Sequence, residues 1–381
     1  MDIQGYCAPG FEALYDAFAT NFRDHGDQGA SFCAVYQGEE IASLWAGSAD
    51  RHGERAFEED TLANVFSSSK GVLALIALQQ VAAGKLDLDL PVAHYWPEFA
   101  AAGKSSITGR QLLCHRSGVI AFRERVVDAL IYDWHGALEK VAATEPWWEP
   151  GTRQGYSPFL YGWTLGGLIE KASGESLMSL YRRNVAEPLE LDGGFGAVGH
   201  RASAIADVGP LNKPLPELRD NAIGRSIKED RQGPVATAFT NPVTLMMGTN
   251  GDQWREALIP AANGHFSARD LAAIYGDLAS DDPQLLPASL LRAATEEQSR
   301  GQDAILQAEV AFACGFLKSS PAEDLHFGSE AGFGHPGAGG SVGFADPRSE
   351  LGFGYVTSRM GQSLFMDQRA VGLKNCLYSL L

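Results

Sequence analysis

The stretch Val65-Phe66-Ser67-Ser68-Ser69-Lys70-Gly71-Val72-Leu73-Ala74-Leu75-Ile76-Ala77-Leu78 places a polar turn directly before an almost entirely apolar segment. We expect a turn that carries Ser67, followed by a helix that runs to about Ala83, where Gly84 ends it. A surface helix has a polar side, and this segment has almost none, so the helix is expected to cross the interior of the molecule. Side chains on its first turn would be held rigidly.

Ser67 and Lys70 stand three residues apart on this turn, so the hydroxyl and the amine would share one face of the helix. A serine hydroxyl becomes a nucleophile when a base takes its proton, and a lysine can be that base only if burial lowers its pKa from about 10.4. A buried helix start provides the desolvation and also amide N–H groups that stabilise negative charge. The alternative is a serine-rich helix cap followed by a solvated lysine, and the local sequence favours neither reading.

Length, composition and charge restrict the class of protein. The chain has 381 residues, 45% of them hydrophobic and 20% charged, so it predicts a globular protein of two or three domain-sized units. Its net charge of -17 argues against nucleic acid or an anionic membrane surface as the main partner. No secretory signal is predicted at the start of the chain, and the longest apolar stretch is too short to span a bilayer. Five cysteines at scattered positions favour reduced thiols in the cytoplasm over a disulfide framework or a metal site.

The order of the predicted elements indicates an α+β fold. Residues 11–24 have the apolar spacing of an amphipathic helix, and residues 31–36 and 40–47 have the pattern of two strands in a hairpin. Helical patterns dominate from 108 to 185 and return at 268–278. Strand patterns follow near the end of the chain, at 310–317, 325–328, 340–345 and 351–357, before a final helix from about 363 to 380.

We expect these strands to form one antiparallel sheet built from both ends of the chain, because hairpin-connected strands pair antiparallel. Residues 1–66 and 305–381 would make the sheet domain with its flanking helices, and residues 67–304 a mainly helical inserted domain. The active site would lie in the cleft between them. Residues 209–260 are rich in glycine, proline and asparagine and predict long loops over a pocket or a segment without order.

Two further segments could contribute to a site. Tyr156 follows the turn Glu149-Pro150-Gly151-Thr152, so it is either a core aromatic residue or a phenol that acts as a base when nearby cations lower its pKa from about 10. The run Gly334-His335-Pro336-Gly337-Ala338-Gly339-Gly340-Ser341 leads into a strand. Its glycines either provide the positive φ angles that the entry to this strand needs, or let the backbone approach a ligand closely and offer N–H groups to an oxyanion. In the second case His335 would be a polar contact.

Two other candidates have simpler interpretations. The sequence Gly339-Gly340-Ser341-Val342-Gly343 matches the Gly-x-Ser-x-Gly nucleophile pattern, but that serine must open a helix and precede a histidine. Ser341 instead leads into a predicted strand, and no histidine follows His335, so we interpret it as a structural serine. His115 has no partner at metal-ligand spacing and is also interpreted as structural.

Six blocks of the sequence, in this order, resemble the serine β-lactamase and penicillin-binding-protein superfamily, and within it the class C-like esterases called family VIII carboxylesterases. The blocks are Phe66-Ser67-Ser68-Ser69-Lys70, Gly84-Lys85-Leu86-Asp87-Leu88-Asp89, Leu112-Leu113-Cys114-His115-Arg116-Ser117-Gly118, Pro150-Gly151-Thr152 through Tyr156-Ser157, Ser267-Ala268-Arg269-Asp270-Leu271-Ala272 and His335-Pro336-Gly337-Ala338-Gly339-Gly340. The resemblance covers most of the chain. It implies a β-lactamase/transpeptidase-like fold and a serine carboxylesterase that hydrolyses small esters.

The resemblance implies a role for each matched residue. Ser67 would accept the acyl group, Lys70 would take its proton or stabilise charge, and Tyr156 would activate the serine and later the deacylating water. The backbone N–H groups of Ser67 and Ala338 would form the oxyanion hole.

The substrate contacts expected from the resemblance are His335, Gly337 and Trp148. Trp148, like Trp147, either packs under the Tyr156 loop or lines the acyl pocket, and the sequence leaves both alternatives open. The implied partner is a small-molecule ester, with no cofactor, no metal, no nucleic acid and no membrane, and the oligomeric state is left undefined.

Two departures from the superfamily pattern bear on the substrate. The Tyr-x-Asn motif reads Tyr156-Ser157-Pro158, and the Lys-Thr-Gly motif reads His335-Pro336-Gly337. Both changes remove groups suited to a penicillin-like acid and favour neutral esters, with weak β-lactam hydrolysis as an accompanying activity. The alternatives are a β-lactamase, a D-amino acid peptidase or an acyltransferase on the same scaffold, and a non-catalytic scaffold protein.

Overall fold

The computed structural model of the protein describes residues 2–196, 204–212, 214–216, 218, 221–242 and 248–381. Within these residues its α-helices are α1 Ala13–Arg23, α2 Ser69–Ala82, α3 Val92–Tyr95, α4 Gly109–Leu113, α5 Trp134–Ala143, α6 Leu160–Ser173, α7 Leu177–Tyr181, α8 Ala222–Glu229, α9 Pro234–Thr240, α10 Asp252–Glu256, α11 Ala268–Ala279, α12 Ala288–Thr295 and α13 Gln368–Tyr378.

In the described part of the chain, the strands form one large antiparallel sheet and two small ones. They are β1 Ile3–Cys7, β2 Gly29–Tyr36, β3 Glu39–Gly47, β4 Ala63–Asn64, β5 Gly209–Pro210, β6 His265–Phe266, β7 Ser299–Gln302, β8 Glu309–Phe312, β9 Leu317–Lys318, β10 Phe333–Pro336, β11 Val342–Asp346, β12 Leu351–Thr357 and β13 Arg359–Met360. The order in the large sheet is β1-β3-β2-β12-β11-β10-β9-β8-β7.

The centre of the large sheet joins the two ends of the chain. Strand β2 pairs antiparallel with β12, from Ala30 opposite Thr357 to Tyr36 opposite Leu351. The predicted antiparallel sheet built from both ends of the chain is therefore confirmed. The division into domains at residues 66 and 305 stays a prediction, and the sheet already receives strand β7 at Ser299.

Helices cover both faces of the sheet, and alternating residues of β12 show how. Gly352 and Gly354 point to one face, where a Cβ atom would overlap the backbone of α11, so that helix packs at a distance only glycine permits. Phe353 and Tyr355 point to the other face and belong to an apolar cluster with residues of α1 and α13. The sheet is thus the middle layer of three, which is why β12 is buried along its whole length.

The helix that follows the Ser67 turn crosses the interior, as predicted. It starts as a 3-10 turn over Phe66–Ser68 and continues as α2, in which eleven of fourteen residues are buried. Helix α2 packs against α6 and lies in the main apolar core. The residues at its start are therefore held on a rigid element.

Three predictions about local structure were wrong, at least in part. Residues 209–260 contain the short helices α8, α9 and α10, although 213, 217, 219–220 and 243–247 lie outside the described residues. The predicted strand at 310–317 is split into β8 and β9, because Gly315 adopts a φ of +85° in a tight turn between them. Residues 325–328 do not form a strand; the N–H of Phe327 instead donates to the hydroxyl of Ser319 at 2.8 Å.

Candidate active site

The turn that carries Ser67 has a strained backbone. Phe66, directly before the serine, adopts a φ of +46°, which is rare for a bulky residue. Neighbouring hydrogen bonds hold this conformation. The N–H of Val65 donates to the carbonyl oxygen of Gly264 at 2.9 Å, and the N–H of Ser68 donates to the carbonyl oxygen of Val65 at 3.1 Å. Strain of this kind persists where the surroundings fix it, and it concentrates at functional sites.

Lys70 is fully buried, and its amine has three oxygen neighbours. Nζ lies 3.0 Å from the hydroxyl oxygen of Ser67, 2.8 Å from the carbonyl oxygen of Pro158 and 2.9 Å from that of Ala261. Burial lowers the pKa of Lys70 well below its ordinary value. The protonated amine donates to all three oxygens, whereas the neutral amine has two N–H donors for the carbonyls and one lone pair that can accept the Ser67 proton. The geometry is that of a base ready to take the Ser67 proton.

Tyr156 completes the cluster from the segment that precedes α6. Its hydroxyl hydrogen-bonds with Ser67, and its ring centroid lies 4.8 Å from Lys70 Nζ. Burial raises the pKa of Tyr156, and this effect exceeds the lowering that comes from the Ser67 bond. The phenol is therefore neutral at ordinary pH and holds a proton that it can pass on.

A buried carboxylate that sequence analysis missed positions Tyr156. Asp303 accepts hydrogen bonds from the backbone N–H of Tyr156 at 2.9 and 3.1 Å, and from those of Ile305 and Leu306 at 2.8 Å each. Burial raises the pKa of Asp303, whereas these N–H donors oppose the rise. No motif surrounds Asp303 in the sequence, so only the folded chain reveals this contact.

His115 supports the same segment from behind. It adopts a φ of +53°, and its Nδ1 accepts a hydrogen bond from the N–H of Ser157 at 3.1 Å. Its ring lies 4.7–4.8 Å from the rings of Tyr156, Tyr161 and Phe312. Burial lowers its pKa well below the ordinary value, so it is a neutral packing residue, which agrees with the structural interpretation. Among the described residues, no group of His, Cys, Asp and Glu side chains has the arrangement of a metal site.

The glycine-rich run meets the Ser67 turn from the sheet. A Cβ atom at Gly337 would overlap the carbonyl oxygen of Val65, so glycine allows the end of β10 to touch the turn. His335 is buried, and its Nδ1–H donates to the carbonyl of Pro336 at 2.8 Å. Burial lowers its pKa to about 3, so His335 is neutral and its Nε2 carries a lone pair without a hydrogen-bond partner in the described part of the chain.

A second network missed by sequence analysis holds the turn after Ala338. The guanidinium of Arg369 donates to the carbonyls of Gly339 at 2.5 Å and Arg359 at 2.8 Å. The same group pairs with Asp367 at 2.7 Å and lies 3.5 Å from Asp27, with all three side chains buried. The network fixes the backbone next to Ala338 and so determines the direction in which the N–H of Ala338 points.

Ser67 opens into a small apolar cavity. Its volume is about 90 Å³, and its lining is Phe66, Ser67, Tyr156, Pro158, Phe159, Phe239, Ala262, Leu306, Leu317, His335, Ala338, Leu364 and Phe365. A larger cavity of about 630 Å³ lies beyond Phe239, Leu306, Leu364 and Phe365, which line both. The structure thus brings Ser67, Tyr156, His335 and Ala338 together at one cavity, with Lys70 against Ser67.

Three other residues from the sequence analysis lie elsewhere. Trp148 packs under the Tyr156 loop, where a Cβ atom at Gly155 would overlap its ring, and it is not among the described residues that line the Ser67 cavity. Gly337 contacts the Ser67 turn rather than the cavity. Ser341 precedes strand β11 rather than a helix, as predicted, and its hydroxyl accepts from the N–H of Thr357 at 3.3 Å.

Comparison with known proteins places this geometry in context. A family model described as Beta-lactamase matches residues 16–375. The Esterase/beta-lactamase LipL of Mycobacterium tuberculosis is 29% identical over 379 residues, which cover 97% of this chain and 86% of LipL. Two solved structures, a penicillin-binding protein homolog from Caulobacter crescentus and a family VIII carboxylesterase, match with TM-scores of 0.90 at 34% identity over 100% of each chain. EstA from Arthrobacter nitroguajacolicus Rue61a matches with a TM-score of 0.85 at 29% identity, over 100% of this chain and 98% of EstA. The fold predicted from the six blocks is confirmed.

Proposed function

The chain belongs to the beta-lactamase family, and we propose that it is a serine carboxylesterase that hydrolyses small neutral esters through an acyl-enzyme on Ser67. The observation that carries the proposal is the 3.0 Å contact between Lys70 Nζ and Ser67 Oγ inside a buried apolar site. The esterases among its similar proteins support the same reaction.

In the acylation step, Lys70 takes the hydroxyl proton of Ser67 while the serine oxygen attacks the ester carbonyl. Burial supports this assignment, because it lowers the pKa of Lys70 and raises that of Tyr156. The amine is therefore the available base, and the neutral phenol of Tyr156 passes a proton to the departing alkoxide. In the second step the same pair activates the water that releases the acid.

The negative charge that forms on the carbonyl oxygen would be stabilised by two backbone N–H groups. Ser67 lies in the first turn of a helical segment, where N–H groups have no partner within the helix. Ala338 lines the same cavity from the opposite element, the turn after β10. We assign the oxyanion hole to these two groups, and removal of such a donor typically costs about 10²–10³ in kcat.

The lining of the cavity supports a neutral, apolar substrate. His335 replaces the lysine of the Lys-Thr-Gly motif and is uncharged, so it offers a lone pair at Nε2 rather than a positive charge. A β-lactam that carries a carboxylate would find no cation to pair with at this position, whereas a neutral ester needs no such ion pair. The volume of about 90 Å³ at Ser67 suits a small acyl or alkoxy group.

A weak β-lactam hydrolysis is the second candidate activity, favoured by the likeness to LipL, which carries both functions in its name. Within the described residues, each helix is either too short or too polar to cross a bilayer. We place the enzyme in the cytoplasm, a location supported by its five free cysteines.

The test compares wild type, Ser67→Ala and Ser341→Ala on p-nitrophenyl esters and a chromogenic cephalosporin. We expect ester turnover to disappear in Ser67→Ala and to survive in Ser341→Ala, and the wild type to prefer esters. Ester hydrolysis that persists in Ser67→Ala would show that another residue is the nucleophile. A wild type that prefers the cephalosporin would favour the lactamase assignment.

A further inference from the structure

Two cysteines meet at the junction between the helical segment and the sheet. Cys114 directly follows α4, and Cys314 lies in the tight turn between β8 and β9. Both side chains are buried, at 2% and 0% exposure, and their thiols hydrogen-bond with each other. Cys114 Sγ also lies 3.6 Å from the carbonyl oxygen of Ala313. Neither residue contributes to the Ser67 cavity, so the proposed esterase activity leaves this pair unexplained.

The two sulfurs have different charge environments. Nη1 of Arg110 lies 3.6 Å from Cys314 Sγ, and the same guanidinium pairs with Asp89 at 2.7 and 2.8 Å. The hydrogen bond from Cys114 lowers the pKa of Cys314, and Arg110 adds to this effect, while burial and Asp89 oppose it. The same hydrogen bond and burial raise the pKa of Cys114, against the cations Arg110 and Arg116. Of the two thiols, Cys314 is therefore the one whose pKa is lowered and which lies beside a cation.

A cavity that opens to the surface has Cys314 in its wall. Cys314 and Arg110 line a cavity of about 520 Å³ that also includes the exposed residues Asp87, Asp89 and Leu90. A cysteine sulfur beside a guanidinium and in the wall of such a cavity has the environment in which cysteines react with peroxides. The second thiol in contact with the first can then resolve the product.

We propose that Cys114 and Cys314 form a reversible disulfide when a hydroperoxide enters this cavity. Cys314, as its thiolate, attacks the peroxide, the O–O bond breaks, and Cys314 becomes a sulfenic acid while the released alkoxide or hydroxide takes a proton to leave as an alcohol or as water. The sulfur of Cys114 then attacks the sulfenic sulfur, loses its proton and displaces water as the S–S bond forms. Two thiols are oxidised and one peroxide is reduced.

The other three cysteines lack this environment. Cys33 is buried beside Glu40, and burial together with that carboxylate raises its pKa. Burial also raises the pKa of Cys7 to about 11 and that of Cys376 above its ordinary value. The oxidation should therefore be selective for the Cys114–Cys314 pair. The bond would tie the end of α4 to the β8–β9 turn, directly behind His115 and Tyr156.

The test treats the purified full-length chain with hydrogen peroxide, alkylates the remaining thiols under denaturing conditions and maps the peptides by mass spectrometry. We expect a Cys114–Cys314 crosslink with a loss of about 2 Da from the intact chain, reversed by dithiothreitol. In Cys114→Ser we expect no crosslink and a dimedone adduct on Cys314, because the resolving thiol is gone. In Cys314→Ser we expect Cys114 to stay reduced, and Cys33→Ser, a matched buried control, should form the crosslink as the wild type does.

Peptides from peroxide-treated wild type decide the question even if a serine variant folds poorly. The proposal is overturned if Cys114 and Cys314 stay reduced while Cys7 or Cys376 is oxidised, or if Cys314 accumulates the dimedone adduct in wild type without forming the crosslink. None of these readouts depends on ester hydrolysis.

Discussion

The amine nitrogen of Lys70 lies 3.0 Å from the hydroxyl oxygen of Ser67. Because the other two neighbours of that nitrogen are carbonyl oxygens, which only accept, the amine in its neutral form would direct its lone pair to the serine. Burial is the cause that lowers the pKa of Lys70, so this shift needs no second cation.

The pH profile of ester hydrolysis should follow the protonation of Lys70. Because the pKa of the buried amine is lowered, Lys70 is neutral above that lowered value and loses its function as base when it is protonated below it. We expect kcat/KM to fall on the acid side and to reach its plateau at a lower pH than an ordinary lysine would allow, and Lys70→Met to be inactive. A rate that rises tenfold per unit up to about pH 10 would indicate an ordinary lysine pKa and contradict the assignment.

Two buried tyrosines near Lys70 offer a matched comparison. The hydroxyl of Tyr156 bonds with Ser67, whereas the hydroxyl of Tyr161 has no hydrogen-bond partner among the described residues. We expect Tyr156→Phe to lower kcat by about 10²–10⁴, the usual contribution of a general acid or base, and Tyr161→Phe to leave it near wild type. Steady-state kinetics with a p-nitrophenyl ester measure both. Equal losses in the two variants would point to packing rather than proton transfer.

Asp303 should act on Tyr156 through the backbone. The Asp303 carboxylate accepts hydrogen bonds from three backbone N–H groups, and the amide of Asp303→Asn has only one oxygen with which to accept them. We therefore expect the free energy of unfolding to fall by about 1–3 kcal/mol. We also expect kcat to fall with KM little changed, because Tyr156 loses its position and the substrate cavity stays. Asp281→Asn, at an exposed site, is the control for both measurements. A variant with normal kcat would remove Asp303 from the site.

The buried Arg369 network should matter for stability. Replacing Arg369 by Met leaves Asp27 and Asp367 buried without their cation, and breaking such a pair costs about 3–5 kcal/mol. Urea denaturation followed by circular dichroism should show this loss. The control Arg23→Met removes an exposed pair with Asp24 and should leave the free energy of unfolding close to that of the wild type. A loss below about 1 kcal/mol in Arg369→Met would contradict the role given to the network.

Phe239 stands between the small cavity at Ser67 and the larger one beyond it. In Phe239→Ala we expect the two cavities to merge, so that p-nitrophenyl esters with longer acyl chains gain in kcat/KM relative to the acetate. Each added methylene that enters an apolar cavity contributes about 0.8 kcal/mol. The acetate serves as the internal control, since its small acyl group does not reach past Phe239. An unchanged chain-length profile would show that the larger cavity does not receive the substrate.

Sequence reasoning succeeded where the chemistry is local. Ser67 and Lys70 are one helical turn apart, so spacing predicted that they could meet, and the resemblance to a known family then favoured the catalytic pair over a helix cap. The antiparallel sheet followed from period-two patterns at both ends of the chain. The resemblance to a known family supplied Tyr156, which spacing alone left as a possible core residue.

The residues that sequence reasoning missed act over long separations. Asp303 accepts a hydrogen bond from Tyr156, which lies 147 positions away in the sequence, and the residues around either one do not indicate this contact. Trp148 could not be assigned because an indole packs equally well under a loop or along a cavity, and only the close approach to Gly155 distinguishes the two. Helices α8 and α9 were missed because segments this short have weak periodicity, and their starts depend on the cap at Asn221 and on Pro234.

The pairing of β2 with β12 sets the order in which this protein can acquire activity. Ala30 meets Thr357 in the sheet, so nearly the whole chain must be synthesised before the central strand pair can close. Ser67 and Lys70 leave the ribosome long before the turn that holds Ala338 and the Arg369 that fixes it. Such long-range pairing slows folding and leaves the edge of β2 open in the meantime. We therefore expect Ser67 to be unreactive in the nascent chain and hydrolysis to begin only after β12 has paired with β2.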